Sequence, residues 1–291
     1  KDANHCEMAS SLGKMTFPRA ADKKLLTGLA NRSFENLMKE FERKQRELQR
    51  ASRTRKEMIV SSQAILGLKK PAIAELSSKA KARYESALAQ RPKAGALRPI
   101  ARASTYGAGG INYPPYSFPW NGGISCGGLS TCSQYGPNAS SGQIGADLGG
   151  TVATSASSWD GIALWYYSQA NAPMVISTQA AVYGQGYANA DIYGYVYAYG
   201  DLELLVYDGS GNQVAGTVNV IYDQSGSFIY NNTYFNGNMY TANVSVQLAA
   251  NQWYIVYVGS YDYVDLAAAA GAQVNLDIFV QQIAICDSCP G

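Results

Sequence analysis

Asp191-Ile-Tyr-Gly-Tyr-Val-Tyr-Ala-Tyr-Gly200 places Tyr193, Tyr195, Tyr197 and Tyr199 in alternation with Gly194, Val196, Ala198 and Gly200. Successive side chains leave a β-strand on opposite faces, so this period of two predicts a strand with phenol rings on one side and small residues on the other. Two arrangements satisfy it. The tyrosines either fill the layer between two sheets, each hydroxyl needing a partner, or point outward as a flat aromatic platform for sugar rings or another protein.

Outward from this stretch, strand signals recur about every ten residues from Gly161 to Ile285. Asp208-Gly-Ser-Gly-Asn212 and Asp223-Gln-Ser-Gly226 read as hairpin turns. Val274, Leu276, Ile278 and Val280 alternate with polar residues, then Ile283 and Ile285 take the opposite parity, which predicts a β-bulge at Gln281-Gln282. Strands without helical punctuation predict a mainly β protein, an antiparallel sandwich of jelly-roll type.

The first hundred residues are of another kind. All 23 Lys and Arg precede Ala103, whereas the 21 acids divide into ten before it and eleven after it. Tyr84 is the only tyrosine of 22 in that first part. Phe34, Leu37, Phe41, Leu48 and Met58 form an apolar stripe at helical spacing, and Ile73, Leu76, Ala80, Tyr84 and Leu88 form a second after Gly67 and Pro71. The expected organisation is an irregular arm at 1–20, a basic helical hairpin or stalk at 21–91, a Pro/Gly-rich linker at 92–123, and an acidic Tyr-rich β-sandwich at 124–291. Lys44 and Arg55 interrupt the heptad, so a regular coiled coil is not predicted.

Residues 201–258 carry a likeness. Asp201-Leu-Glu-Leu-Leu-Val-Tyr-Asp-Gly-Ser-Gly-Asn-Gln-Val-Ala215 ends a strand in an Asp/Gly turn, and Val244-Ser-Val-Gln-Leu-Ala-Ala-Asn-Gln-Trp-Tyr-Ile-Val-Tyr-Val258 follows a short turn with a Trp-Tyr-x-Val core. The pattern resembles secreted bacterial accessory sandwiches of the pre-peptidase C-terminal and carbohydrate-binding kind. The resemblance implies a non-catalytic binding module and carries over no site residue. The tyrosine ladder and the absence of Lys and Arg depart from the pattern.

Catalysis is poorly provided for. The only histidine, His5, lies outside the β region, which removes Ser-His-Asp and Cys-His arrangements from it. A single glutamate there, Glu203, gives no obvious glycosidase pair. Calcium has candidate oxygen ligands in Asp201, Glu203 and Asp208, and in Asp223, Asp262 and Asp265 further along the chain, but no EF-hand spacing occurs, and solvated turn acids are the plainer reading. Nucleic acid is not expected on a β region without cations. On the helices, cations alternating with acids mark a solvated face or contact with an acidic partner, the chain's own β region included.

Cys126, Cys132, Cys286 and Cys289 frame the β region and predict two disulfides, with a zinc site or a redox Cys-x-x-Cys as rivals; Cys6 stands alone. Asn138, Asn231 and Asn243 begin glycosylation sequons, meaningful only in a eukaryotic setting. No apolar run reaches the length of a membrane span. Starting at Lys1 without an initiator Met, the chain reads as a processed product or fragment. A protease cutting after Lys or Arg finds every site in the first part, which predicts a trimmed extracellular domain.

The function expected is recognition of a glycan or cell-surface ligand, adhesin-like, through Tyr193, Tyr195, Tyr197, Tyr199, Trp253 and Tyr257. The alternative is a structural subunit of a fibre, coat or shell, a homo-oligomer joined through residues 21–91.

Overall fold

Two antiparallel sheets face each other, and a helix lies on the outer side of each. The computed structural model describes residues 20–65, 70–90, 110–128 and 130–286. The arm at 1–19 with His5 and Cys6, the first half of the linker and Cys289 lie outside the described residues.

Helices α1 (Ala20–Ile65) and α2 (Lys70–Ala89) come first. The strands follow as β1 (Gly110–Asn112), β2 (Phe118–Gly127), β3 (Ser130–Gln134), β4 (Gln143–Ile144), β5 (Ala146–Thr151) and β6 (Thr154–Ser168). Then come β7 (Ala172–Ala190), β8 (Tyr195–Tyr207), β9 (Gln213–Gly226), β10 (Ile229–Leu248), β11 (Gln252–Ala267) and β12 (Ala270–Cys286). Sheet A runs β10-β7-β12-β5-β3, with β1 and β4 also paired to β12, and sheet B runs β2-β6-β11-β8-β9. The mainly β sandwich expected from the strand pattern is therefore the observed fold.

The aliphatic core lies between the sheets. Ile162 and Leu164 on β6, Val256 and Val258 on β11, and Leu202, Leu204 and Val206 on β8 meet Val182 on β7 and Val274, Leu276 and Ile278 on β12. Val196 and Ala198, the small side of the tyrosine ladder, belong to this core. The phenols consequently leave sheet B on its outer side, and neither arrangement read from the sequence describes them: α1 lies over that side.

Ser77 Oγ of α2 accepts from Ala269 N at 3.1 Å, and the Tyr84 ring lies 6.0 Å from that of Tyr187 on sheet A. Helices expected as a hairpin or stalk are thus seated against the sandwich, α2 on sheet A and α1 on sheet B. The register shift between Val280 and Gln282 is the bulge predicted there. Asp208 closes its turn as expected, its N–H donating to Asn212 O at 2.9 Å. Asp223–Gly226, by contrast, continues β9 against β8, and the chain reverses after it; pairing with Val196–Tyr199 outweighs the local turn chemistry. In the second half of the expected linker, residues 110–112 form β1, 113–117 cross to the other sheet outside any strand, and Phe118 begins β2. Cys126 and Cys132 are bonded to each other across the β2–β3 edge, and Cys286 is also disulfide-bonded.

Two acids point into the aliphatic core. Asp160 Oδ1 accepts from Gly145 N at 2.8 Å, while Oδ2 has no partner among the described residues. Burial pushes the Asp160 carboxyl up to about 8. Burial, then the neighbouring charges of Asp160 and Asp201, holds Asp262 well above the carboxylate range. An acid raised on folding is most favourable below its unfolded value of about 4, and that contribution is lost as pH rises through the folded value. The urea midpoint of Asp160→Asn, compared with the unsubstituted chain from pH 4 to pH 9, is expected to fall less over this range. Parallel curves would contradict a protonated Asp160.

Candidate functional site

The inward positions of α1 recur every three or four residues: Leu26, Leu29, Ser33, Leu37, Phe41, Lys44, Leu48, Ser52 and Lys56. Ser33 apart, this face is apolar as far as Phe41, and from Lys44 on it is polar except for Leu48; the sheet beneath changes in step. Under the first half lie Trp120 on β2, Trp159 on β6 and Tyr257 on β11, with Phe34 5.9 Å from the Trp120 ring and Phe41 5.7 Å from that of Trp159. Under the second half lie the carboxylates.

Lys44 Nζ donates to Asp201 Oδ2 at 2.7 Å and to Glu203 Oε1 at 2.8 Å. The same ammonium stands 5.2 Å from the Tyr199 ring centre and 4.6 Å from that of Tyr261. Asp201 also accepts from Tyr199 Oη at 2.7 Å and from Tyr261 N at 3.0 Å. Burial opposes the Lys44 charge, but Glu203 and Asp201 outweigh it and hold the ammonium above its usual range. Burial and the Asp201 charge raise Glu203. About two and three turns further along α1, Ser52 and Lys56 both donate to Asp265. The helix start is fixed to the β8–β9 turn by Arg32 on Gly209 O at 3.0 Å and Asn36 on Gly211 O at 2.8 Å.

Two glycines let an aromatic ring lie flat on this face. A Cβ at Gly161 or Gly259 would overlap the Tyr257 ring, so both positions need hydrogen as the side chain. The cover is imperfect, however. Tyr207 Oη, Tyr261 Oη and Trp159 Nε1 are buried with no hydrogen-bond partner among the described residues. Each such group costs about 1–3 kcal/mol, which offsets part of what the helix gains by burying apolar area.

The sequence-predicted residues fall in three places. Tyr195, Tyr197 and Tyr199 lie under α1, with Tyr197 5.7 Å from the Tyr263 ring and Tyr195 buried. Tyr257 is fully buried beneath the helix. Tyr193 lies before β8 begins, in a cleft of about 490 Å³ shared with Arg55, Met58, Ile192 and Tyr195 at the far end of α1.

Trp253 alone sits at an open margin. Its ring is 5.1 Å from that of Tyr167, and with Trp165 and Phe118, 4.9 Å apart, it makes a strip of half-buried aromatics. Asn251, Gln252, Gln169 and Asn171 are exposed beside it. The calcium ligands expected at Asp201, Glu203 and Asp208 do not converge on a metal: Lys44 supplies the cation for the first two, and Asp208 Oδ1 accepts from Ser210 N and Asn212 N of its own turn. Among the described residues no three metal-ligating side chains cluster.

Sequence reasoning missed Trp120, Trp159, Trp165, Tyr167, Tyr261, Tyr263 and Lys44. The alternation Tyr257-x-Gly-x-Tyr261-x-Tyr263 on β11 carried the same signal as the ladder.

No protein-family model matches the sequence, and no curated protein does. Among solved structures, 26 chains match. An isomalto-dextranase of Arthrobacter globiformis T6 complexed with panose is 12% identical with a TM-score of 0.24; the match covers 55% of this chain and only 23% of that one. TmCBM61 in complex with β-1,4-galactotriose is 10% identical with a TM-score of 0.22, covering 57% of this chain and 87% of that one. The CBM22-1 xylan-binding domain of Paenibacillus barcinonensis Xyn10C is 14% identical with a TM-score of 0.17, covering 61% and 98%. Values this low leave the function to the chemistry of the site.

Breaking a buried pair costs about 3–5 kcal/mol because the remaining charge is left uncompensated. Lys44→Ala is expected to lower stability by roughly this much in urea titration. Arg43→Ala, one residue away and paired among the described residues only with the exposed Glu40 and Glu47, is expected to leave the midpoint where it was. Equal effects would contradict the docking role of Lys44.

Proposed function

We propose that this chain is a non-enzymatic, extracellular recognition module for glycans. The observation that supports it is the aromatic strip of Phe118, Trp165, Tyr167 and Trp253, half-buried at the margin of sheet B and flanked by exposed amides. Aromatic faces bind the apolar faces of sugar rings, and amides take the hydroxyls that a ring presents at its edge. The strip stands on rigid strands rather than on loops, so the spacing between rings is set before a ligand arrives. Its neighbours on the outer face of sheet B are covered by α1, which confines binding in the intact chain to the margin.

In a polysaccharide array on the full-length chain, Trp253→Ala is expected to weaken glycan binding about tenfold, or about 1.4 kcal/mol, with its near-UV circular dichroism otherwise native. Binding unchanged by Trp253→Ala and Tyr167→Ala together would defeat the assignment.

A second reading, assembly with copies of itself, is favoured by the β9–β10 side of the sandwich. No charged residue occurs between Asp223 and Asp262, and Val218, Val220, Phe228, Tyr230 and Met239 are exposed there. Native edges normally carry charge that discourages strand pairing. Light scattering is expected to show a mass that rises with concentration and falls when Val218 and Val220 are both replaced by Lys; a constant monomer mass would rule this reading out.

A further inference from the structure

The surroundings of Lys44 amount to a complete receptor for a primary ammonium. Two carboxylates grip it within 2.8 Å, two phenol rings present their faces to it, and Asp201 is itself held by a phenol hydroxyl and a backbone N–H. Aromatic faces and carboxylates together are the chemistry by which organic cations are bound. The β region has no cation of its own, and the ammonium that fills this box comes from Lys44 on α1.

We propose that the outer face of sheet B is a binding site for an amino-sugar polymer of the glucosamine type, and that α1 occupies it in the intact chain in place of that ligand. Lys44 Nζ stands where a sugar ammonium would sit, and Lys56 on Asp265 marks a second such position along the face. The proposal rests on the recognition reading above and names a ligand class and a control for the covered part of the same sheet.

Three observations carry it. First, Tyr257 lies flat over Gly161 and Gly259, giving the plane on which a pyranose ring stacks. Second, Tyr207 Oη, Tyr261 Oη and Trp159 Nε1 are buried and unpartnered under the helix. The helix lays apolar carbon and Ser33 Oγ, itself buried and unpartnered, over this layer and pairs none of the three, whereas a sugar brings several hydroxyls that would pair with phenol and indole donors. This favours an amino sugar over a basic peptide as the ligand the face is made for. Third, the sandwich keeps its own core between the sheets, distinct from the aromatic cluster shared with α1.

The cover is also separable by chemistry. Lys39, Arg43, Arg46, Arg50 and Arg53 are exposed on the outward side of α1, and no Lys or Arg follows Arg102. An external protease specific for these residues can add water across peptide bonds in the helices and finds no such bond in the sandwich.

The test begins with the full-length chain, incubated with trypsin and followed by intact mass and near-UV circular dichroism. Binding of a glucosamine hexamer, an N-acetylglucosamine hexamer and a synthetic peptide of residues 26–58 is then measured by calorimetry at mildly acidic pH, before and after digestion. The expected result is a folded sandwich whose affinity for the glucosamine hexamer rises about tenfold or more, with no such rise for the acetylated hexamer, and with the gain lost in Asp201→Asn and Glu203→Gln. Collapse of the near-UV signal on digestion would overturn the proposal, because the cover would then be part of the fold. So would a folded product that gains nothing for the glucosamine hexamer, or that takes back only the peptide. Trp253→Ala in the undigested chain tests the marginal strip, and Asp201→Asn in the digested chain tests the covered face, so the two readings fail separately.

Discussion

One ammonium, that of Lys44, decides how the two halves of this chain meet. Asp201 and Glu203 sit side by side on β8, buried, in a β region that contains no cation. Left alone, two adjacent carboxylates would have to shed charge by taking up protons or remain in water. Lys44 resolves this from outside the sandwich, and the registration of α1 follows from it. With Lys44 fixed, Phe34 and Phe41 fall on the Trp120 and Trp159 rings, and Ser52 and Lys56 on Asp265.

The result is a sandwich with two kinds of interior. Between the sheets the side chains are mainly aliphatic, with Tyr166, Tyr222, Phe235 and Tyr254 among them, and the packing is supplied by the β region itself. Between sheet B and α1 they are aromatic and charged, contributed by both halves, with buried polar atoms left unpaired. Opposing terms of a few kcal/mol each meet in this second layer, ion pairs and ring contacts against unsatisfied hydroxyls. A balance of that kind suits a contact that is specific yet can be undone.

Much of this was legible in the residues. Period-two alternation and turn spacing gave the sandwich, and the opposite parity of Ile283 and Ile285 gave the bulge in β12. The destination of the tyrosines was not legible, because alternation shows that Tyr195, Tyr197 and Tyr199 share a face without showing what covers it. Lys44 looked like a flaw in an apolar stripe when α1 was considered alone. It fits once the acids of β8 are placed beneath it, and that pairing joins residues 157 apart. Asp223–Gly226 misled for a similar reason, since turn-forming residues were overruled by pairing with β8. Tyr167 and Trp253, distant in sequence, became a strip only through the register of β6 with β11.

Whether α1 is a cover or a structural layer is read most directly by hydrogen exchange on the full-length chain under native conditions. A cover opens while the sandwich stays closed, so the amides of residues 26–56 are expected to exchange by a local opening of clearly lower free energy than those of β8 and β11. Exchange of α1 only together with β8 and β11, at the free energy of global unfolding, would show that the helix and the sandwich form one cooperative unit and would contradict a detachable occupant.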